Sequence, residues 1–127
     1  MTHNELIQLY FERSNALQSL WTLYVVVIGG LLAFSSLRKQ PDPVTTTLVT
    51  ILFAFFAYKN LDAIHDITLH RFAVLEAIRK SASVGSEGIL ATLLPPAFEG
   101  VRTFHVASDL LTIVTLWAME LRRRKNA

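Results

Sequence analysis

Twenty-four consecutive residues without Asp, Glu, Lys or Arg, from Ser14 to Leu37, constrain this chain more than any other feature. At about 1.5 Å of rise per residue, a helix of that length exceeds the roughly 30 Å hydrocarbon core of a bilayer. The segment from Pro43 to Tyr58 also lacks these residue types, and Thr103 to Met119 contains only Asp109. The sequence therefore predicts an all-α integral membrane protein with three transmembrane helices.

The expected architecture is a single membrane domain over residues 1–127, with spans at about 17–37, 43–60 and 102–121. Two prolines in Gln40-Pro41-Asp42-Pro43 end the first helix and begin the second. The chain contains no cysteine, which excludes disulfides, thiolate metal sites and cysteine nucleophiles. The first apolar run is longer than the core of a signal peptide, so we expect it to be a retained anchor.

The first two helices are predicted to continue beyond the membrane on the same side. Apolar residues recur at helical spacing from Leu6 onward, and Asn4 is the expected N-cap. No Pro or Gly follows the second span until Gly85, so its helix should continue as an amphipathic extension over about 60–80. The two extensions would form a helical stalk, and residues of about 81–100 would form a flexible or interfacial loop.

Basic residues indicate the orientation of the chain. Arg38, Lys39 and the run from Arg122 to Lys125 share one side of a three-span protein, whereas the other six basic residues are spread over long segments. The positive-inside rule then places the N-terminus outside and the C-terminus in the cytoplasm, in a bacterial inner membrane as the expected location.

The basic run at the C-terminus has two interpretations. As a stop-transfer and topology signal, Arg122, Arg123, Arg124 and Lys125 need no ligand. They also suit anionic lipid headgroups, at about 1 kcal/mol per basic residue near such a surface. Membrane lipids are therefore expected partners. Nucleic acid is not, because the run is short and has no interleaved aromatic residues.

Histidine and aspartate residues cluster on one face of the second helix and near the start of the third. The candidates for an ion or proton path, or for a metal site, are Asp62, His65, Asp66, His70, His105 and Asp109, with Arg102 in a supporting role. Imidazole and carboxylate ligands suit a divalent metal, although no H-x-x-x-H or E-x-x-H pair is present. The same groups suit a proton relay. A third interpretation is hydrogen bonding between helices combined with a solvated polar face.

Asp109 is the strongest individual candidate, because it lies about two turns inside the third apolar segment. An unpaired carboxylate is costly in a membrane. We therefore expect His105 or Arg102, each about one or two turns earlier, or a group on another helix to compensate it.

Several aromatic residues and two glycines have ordinary structural explanations. Trp21, Tyr24, Tyr58 and Trp117 fall near span ends, which is typical of interfacial anchors. The adjacent Gly29 and Gly30 suit the close approach of another helix, and with the apolar stalk face they predict a homo-oligomer. No nucleophile elbow or phosphate-binding loop is present, so an enzyme is not the expected class.

The favoured functional hypothesis is a small oligomeric membrane protein that forms, or contributes to, an ion or proton channel or a transport assembly. One alternative is a non-catalytic accessory or sensor subunit that docks a larger protein partner. Another is a membrane metal-binding protein, with a divalent metal at the His/Asp cluster. In topology, the three spans and the short basic tail from Arg122 to Lys125 resemble the small holins with which phages perforate a host membrane. That resemblance implies a pore former. It involves no sequence motif, and the long connection from Lys59 to Arg102 departs from it.

Overall fold

The computed structural model describes residues 2–81 and 98–127. These residues form three α-helices, α1 (His3–Leu37), α2 (Pro43–Ser81) and α3 (Phe98–Lys125), and no strand occurs within these two ranges. Each helix is long and apolar enough to cross a membrane. Within these two ranges, the prediction of an all-helical fold with three candidate spans is confirmed. Most of the predicted loop at 81–100 lies outside the described residues.

A capping box fixes the start of α1. The backbone N–H of Glu5 donates to the Thr2 hydroxyl at 3.2 Å, and the Glu5 carboxylate accepts from the backbone N–H of Thr2 at 2.8 Å. The N-cap is therefore Thr2, and the prediction of Asn4 is wrong. The reciprocal Thr-x-x-Glu pair satisfies two backbone donors, which a lone asparagine cannot do.

The turn between α1 and α2 is stabilised by Asp42. Its Oδ1 accepts from the backbone N–H of Thr45 at 3.1 Å, and its Oδ2 accepts from the Thr45 hydroxyl at 2.6 Å. These hydrogen bonds hold the pKa of Asp42 below its usual value. Pro43 follows as the first residue of α2, a position where its missing N–H costs nothing.

Helices α1 and α2 pack antiparallel along most of their length. At one end Leu6 and Tyr10 of α1 form a buried cluster with Leu75 and Ile78 of α2. Helix α3 begins at Phe98, which lies beside His65 and so does not reach this cluster. We therefore call this the two-helix end. The opposite end carries the α1–α2 turn and the C-terminal arginines, and we call it the arginine end.

Helix α3 lies against both partners, antiparallel to α2. Near the middle of the bundle Tyr24, Phe53 and Leu116 are each only 2% exposed. Closer to the arginine end, the Trp117 indole N–H donates to the Thr50 hydroxyl at 3.1 Å. The order of these contacts gives a simple three-helix bundle with an apolar centre.

The outer surface of the bundle is strongly apolar. The side chains of Leu37, Leu52, Phe55 and Leu111 are between 67% and 79% exposed. Patches of this kind are rare on soluble monomers and are ordinary on surfaces that face lipid or another chain. The neighbouring Gly29 and Gly30 also lie at the surface of the chain, since a Cβ added to either would meet no atom within 4 Å.

Candidate functional site

His105 is fully buried where the three helices meet. Its Nδ1 lies 2.8 Å from Oδ2 of Asp109, one turn along α3, and its Nε2 lies 2.9 Å from Oδ1 of Asn60 on α2. The side-chain exposure is 0% for His105 and 17% for Asp109. The carboxylate inside the third apolar segment thus has a partner one turn earlier, as predicted.

The hydrogen bonds around Asn60 determine where protons lie on His105. The Asn60 amide Nδ2 donates to the backbone carbonyl of Leu20 at 3.2 Å, and a carbonyl oxygen can only accept. The Asn60 oxygen therefore faces Nε2 of His105, and the other ring nitrogen, Nδ1, faces the Asp109 carboxyl group. This pattern places a proton on Nε2, which donates to Asn60, and leaves Nδ1 to share a proton with the Asp109 carboxyl group.

Tyr24 brings α1 into the same cluster. Its hydroxyl donates to Oδ1 of Asp109 and lies 3.1 Å from the backbone carbonyl oxygen of His105. The tyrosine ring also stacks on the imidazole, with centroids 4.1 Å apart and planes 22° from parallel. We call Tyr24, Asn60, His105 and Asp109 the His105 network. This stacking packs the imidazole of α3 against helix α1.

Helix register explains how these side chains converge. His105 and Asp109 are four residues apart and so project from the same face of α3. Asn60 continues the stripe of buried α2 residues formed by Phe53 and Ala57, which recurs at spacings of three and four. That stripe is the sequence signal that could have identified Asn60, because a lone amide on a core face requires a partner.

Tyr24, like Asn60, belongs to the His105 network but is not among the predicted site residues. Its interpretation as an interfacial anchor is wrong, because the side chain is 2% exposed and its hydroxyl points into the bundle. Among the aromatic residues assigned to the interface, Tyr58 is 67% exposed, as an anchor should be.

A second buried network lies at the arginine end. Glu120 is fully buried, and its Oε2 accepts from Nη2 of Arg123 at 2.7 Å, from Nε of Arg123 at 3.2 Å and from the Thr46 hydroxyl at 3.1 Å. Arg123 also donates to the backbone carbonyl of Ser35 at 2.8 Å. We call Ser35, Thr46, Glu120 and Arg123 the Glu120 network. Like the His105 network, it joins all three helices.

The Glu120 network changes the role of one predicted lipid-binding residue. Arg123 is turned into the bundle, with its side chain 9% exposed. Arg122, Arg124 and Lys125 remain exposed. Glu120 is not among the predicted site residues, although a lone acid three residues before an arginine in an apolar helix is a signal for such a pair.

The other predicted site residues lie on the outside of the bundle. Asp62, His65 and Arg102 line one groove between α2 and α3. Asp66 and His70 lie further toward the two-helix end, where both are exposed, and their side chains form no hydrogen bond with residues 2–81 or 98–127. The predicted set is therefore divided: His105 and Asp109 are interior, and the remaining members are at the surface.

His105 and Asp109 lie close enough to exchange a proton directly. A proton that moves from Nδ1 of His105 to Oδ2 of Asp109 converts the ion pair into two neutral groups without changing the net charge. Within residues 2–81 and 98–127, no three His, Asp or Glu side chains are grouped so that they could hold a metal ion.

Comparison with known proteins adds no family assignment. No protein-family model matches the chain, and no curated protein or solved structure is detectably similar to it.

Proposed function

We propose that this chain is an integral membrane protein with three spans, and that it serves as a subunit of an oligomeric assembly that moves protons or ions. The supporting observation is the ionisable pair of His105 and Asp109, buried among three helices that are each long enough to span a bilayer. Ionisable groups inside membrane segments are expensive, and they commonly mark proton or ion pathways. In this proposal a proton moves between Nδ1 of His105 and Oδ2 of Asp109, which are 2.8 Å apart.

The proposed orientation has the two-helix end outside and the arginine end in the cytoplasm. It is supported by Arg38, Lys39 and the exposed Arg122, Arg124 and Lys125, which all lie at the arginine end. A protease-sensitive tag placed after Ala127 should then resist digestion from outside intact cells. Digestion of that tag would reverse the orientation.

The exposed face of α1 supports the oligomer. Polar or small residues recur there at alternating spacings of four and three over nine positions, with Val26 as the only large apolar member: Gln8, Glu12, Asn15, Ser19, Thr22, Val26, Gly29, Ala33 and Ser36. All nine are exposed, and a groove of about 680 Å³ lies along the part from Asn15 to Val26. This heptad spacing is the spacing of helix pairs, and small residues allow close approach inside a membrane.

Assembly through α1 would also give the polar pathway a location. The centre of a single bundle is filled by Phe53, Tyr24 and Leu116, each 2% exposed. A path lined by Asn15, Ser19 and Thr22 of neighbouring copies avoids this packed layer. In that arrangement the His105 network lies directly behind the path, since Tyr24 is two residues from Thr22 on the same helix.

Disulfide crosslinking tests the oligomer directly, because the natural chain contains no cysteine. We expect Thr22→Cys to form a crosslinked dimer under mild oxidation in native membranes. Thr47→Cys is the matched control, an exposed threonine on the outer face of α2. A monomer with both variants, or equal crosslinking of both, would remove the α1 interface.

Proton flux tests the proposed activity. The full chain in liposomes with a trapped pH-sensitive dye should dissipate an imposed pH gradient, and Asp109→Asn or His105→Gln should change the flux or its pH dependence. Glu99→Gln, an exposed acid at the start of α3, is the control and should match the unmodified protein. Flux equal to that of empty liposomes, or identical flux in all variants, contradicts the proposal.

The exposed α1 face also favours a second candidate, an accessory subunit that docks another membrane protein through that surface. Gly29 and Gly30 are open to a neighbouring helix in either case. A stoichiometric partner that co-purifies with the chain, together with no intrinsic flux, would favour this candidate.

A further inference from the structure

A groove on the outside of the bundle, between α2 and α3, combines opposite charges with aromatic side chains. Its volume is about 250 Å³. It is lined by Tyr58, Leu61, Asp62 and His65 of α2 and by Phe98 and Arg102 of α3. The four α2 residues recur at spacings of three, one and three, so they form a continuous edge of one helix face.

The two charges in this groove do not neutralise each other. Asp62 and Arg102 are both exposed, and neither forms an ion pair within 4.0 Å or a side-chain hydrogen bond with a residue in 2–81 or 98–127. His65 contacts the ring of Phe98, with centroids 4.5 Å apart, and makes no ion pair in the same ranges. The groove therefore presents a carboxylate and a guanidinium as separate binding groups.

The level of the groove along the bundle follows from the His105 network. Asn60 and His105 are hydrogen-bonded at 2.9 Å, and Asp62 and Arg102 lie two and three residues from them toward the two-helix end. At about 1.5 Å per residue, the groove lies roughly 3–5 Å beyond that hydrogen bond. The charge-free stretch of α2 also ends at Tyr58, so a bilayer around the proposed span would change from hydrocarbon to headgroups at this level.

We propose that this groove binds the zwitterionic headgroup of a phospholipid with a primary amine, with the phosphate at Arg102 and the ammonium at Asp62. A guanidinium donates paired hydrogen bonds to phosphate oxygens. The ammonium gains a carboxylate from Asp62 and the aromatic faces of Tyr58 and Phe98. Phe55, one turn from Tyr58 and 69% exposed, lies toward the arginine end, where the acyl chains would run.

The groove distinguishes among headgroups by its carboxylate. An ammonium group can donate N–H hydrogen bonds to Asp62, whereas the trimethylammonium of a choline headgroup has no N–H. A glycerol headgroup carries no cation and leaves the carboxylate without an opposite charge. A volume of about 250 Å³ is below the range of about 300–1,000 Å³ that is typical of drug-sized ligands, and it suits a headgroup alone.

Lipid retention by the full chain tests this assignment. The protein is purified in a mild detergent and mixed with equal amounts of phosphatidylethanolamine, phosphatidylglycerol and phosphatidylcholine of identical acyl chains. Native mass spectrometry then identifies and quantifies the lipid that stays bound. We expect about tenfold preference for phosphatidylethanolamine, as one charge-assisted hydrogen bond would give. Asp62→Asn should reduce that lipid to the level of phosphatidylglycerol, and Arg102→Gln should weaken retention of all three.

Two controls and one competitor complete the test. Glu76→Gln and Arg124→Gln alter exposed charges away from the groove and should retain the full preference. Free phosphoethanolamine, which lacks acyl chains, should compete weakly; competition equal to that of the lipid would instead assign the groove to a soluble ligand. Equal retention of the three lipids, or an unchanged preference in Asp62→Asn, overturns the proposal. The inference rests on the proposed membrane insertion but not on proton movement, so it fails or stands separately from the flux assay.

Discussion

The two buried networks tie the same three helices together with different chemistry. The His105 network uses an imidazole, a carboxylate, a phenol and an amide, whereas the Glu120 network uses a guanidinium, a carboxylate and hydroxyls. His105 and Glu120 are both 0% exposed and lie fifteen residues apart on α3, about 22 Å along the helix. The central residues of the two networks are therefore equally buried, and the networks differ in the basic side chain that is paired with the carboxyl group.

This difference separates a group that can change its charge from one that cannot. Histidine ordinarily titrates near neutral pH, whereas an arginine remains protonated in proteins. The His105–Asp109 pair can become neutral in place by one proton transfer, but Arg123 stays charged whatever happens to Glu120. We therefore assign the proposed proton chemistry to the His105 network and a structural role to the Glu120 network.

The two networks also differ in how completely their hydrogen bonds are satisfied. Both oxygens of Asp109 take part in hydrogen bonds, one with the Tyr24 hydroxyl and one with His105. Glu120 accepts all of its hydrogen bonds at Oε2, and its buried Oε1 has no hydrogen-bond partner within the described ranges. The Glu120 network is thus held by a strong ion pair with one acceptor unused.

The largest expected effect comes from breaking the fixed ion pair. Glu120→Ala leaves the Arg123 guanidinium buried without its carboxylate, and we expect a loss of about 3–5 kcal/mol in the free energy of unfolding. Thermal and denaturant unfolding of the detergent-solubilised protein measures it. Glu76→Ala, an exposed glutamate on α2, should change stability by less than about 0.5 kcal/mol. If Glu120→Ala lowered the free energy of unfolding no more than Glu76→Ala, the ion pair of Glu120 and Arg123 would not stabilise the fold.

An intermediate effect is expected from the His105 network. Tyr24→Phe removes the hydroxyl that donates to Asp109, and a lost hydrogen bond to a charged group costs about 1.5–3 kcal/mol. Tyr58→Phe is the matched control, because that residue is 67% exposed. If Tyr24→Phe were as harmless as Tyr58→Phe, the network would not bear on stability. A proton flux altered by Tyr24→Phe would further link the network to the proposed activity.

The smallest effect belongs to the turn that separates the first two helices. The pKa of Asp42 is lowered in the folded protein, so its stabilisation is present above the unfolded-state pKa of about 3.9 and is lost as the pH falls through the folded value. Asp42→Ala should therefore lower the melting temperature slightly at pH 7 and have less effect at pH 3. Asp66→Asn serves as the control, because Asp66 is exposed and its side chain forms no hydrogen bond with residues 2–81 or 98–127. A loss that is equal at both pH values would contradict the role of the Asp42 charge.

Particular residues show how far sequence reasoning extends to the site. Asp109 was identifiable as a group in need of compensation because it interrupts an apolar helix, and His105 because it lies one turn away on the same face. Asn60 and Tyr24 come from other helices, and spacing within one helix does not report which residue of a neighbour lies at the same level. The basic run predicts an exposed Arg123, because four adjacent basic residues give no sign that one of them turns inward.

The sequence by itself determined three apolar helices, their approximate ends and the presence of an acid that needs a partner. Those features depend on local chemistry: hydrophobic length, prolines at Pro41 and Pro43, and helical periodicity. Only the tertiary structure decided the register between helices, which sets His105 against Asn60 and Tyr24 and sets Arg123 against Glu120 and Ser35. Apolar faces can slide along one another at little cost, so the register is fixed by the few polar groups that must meet their partners.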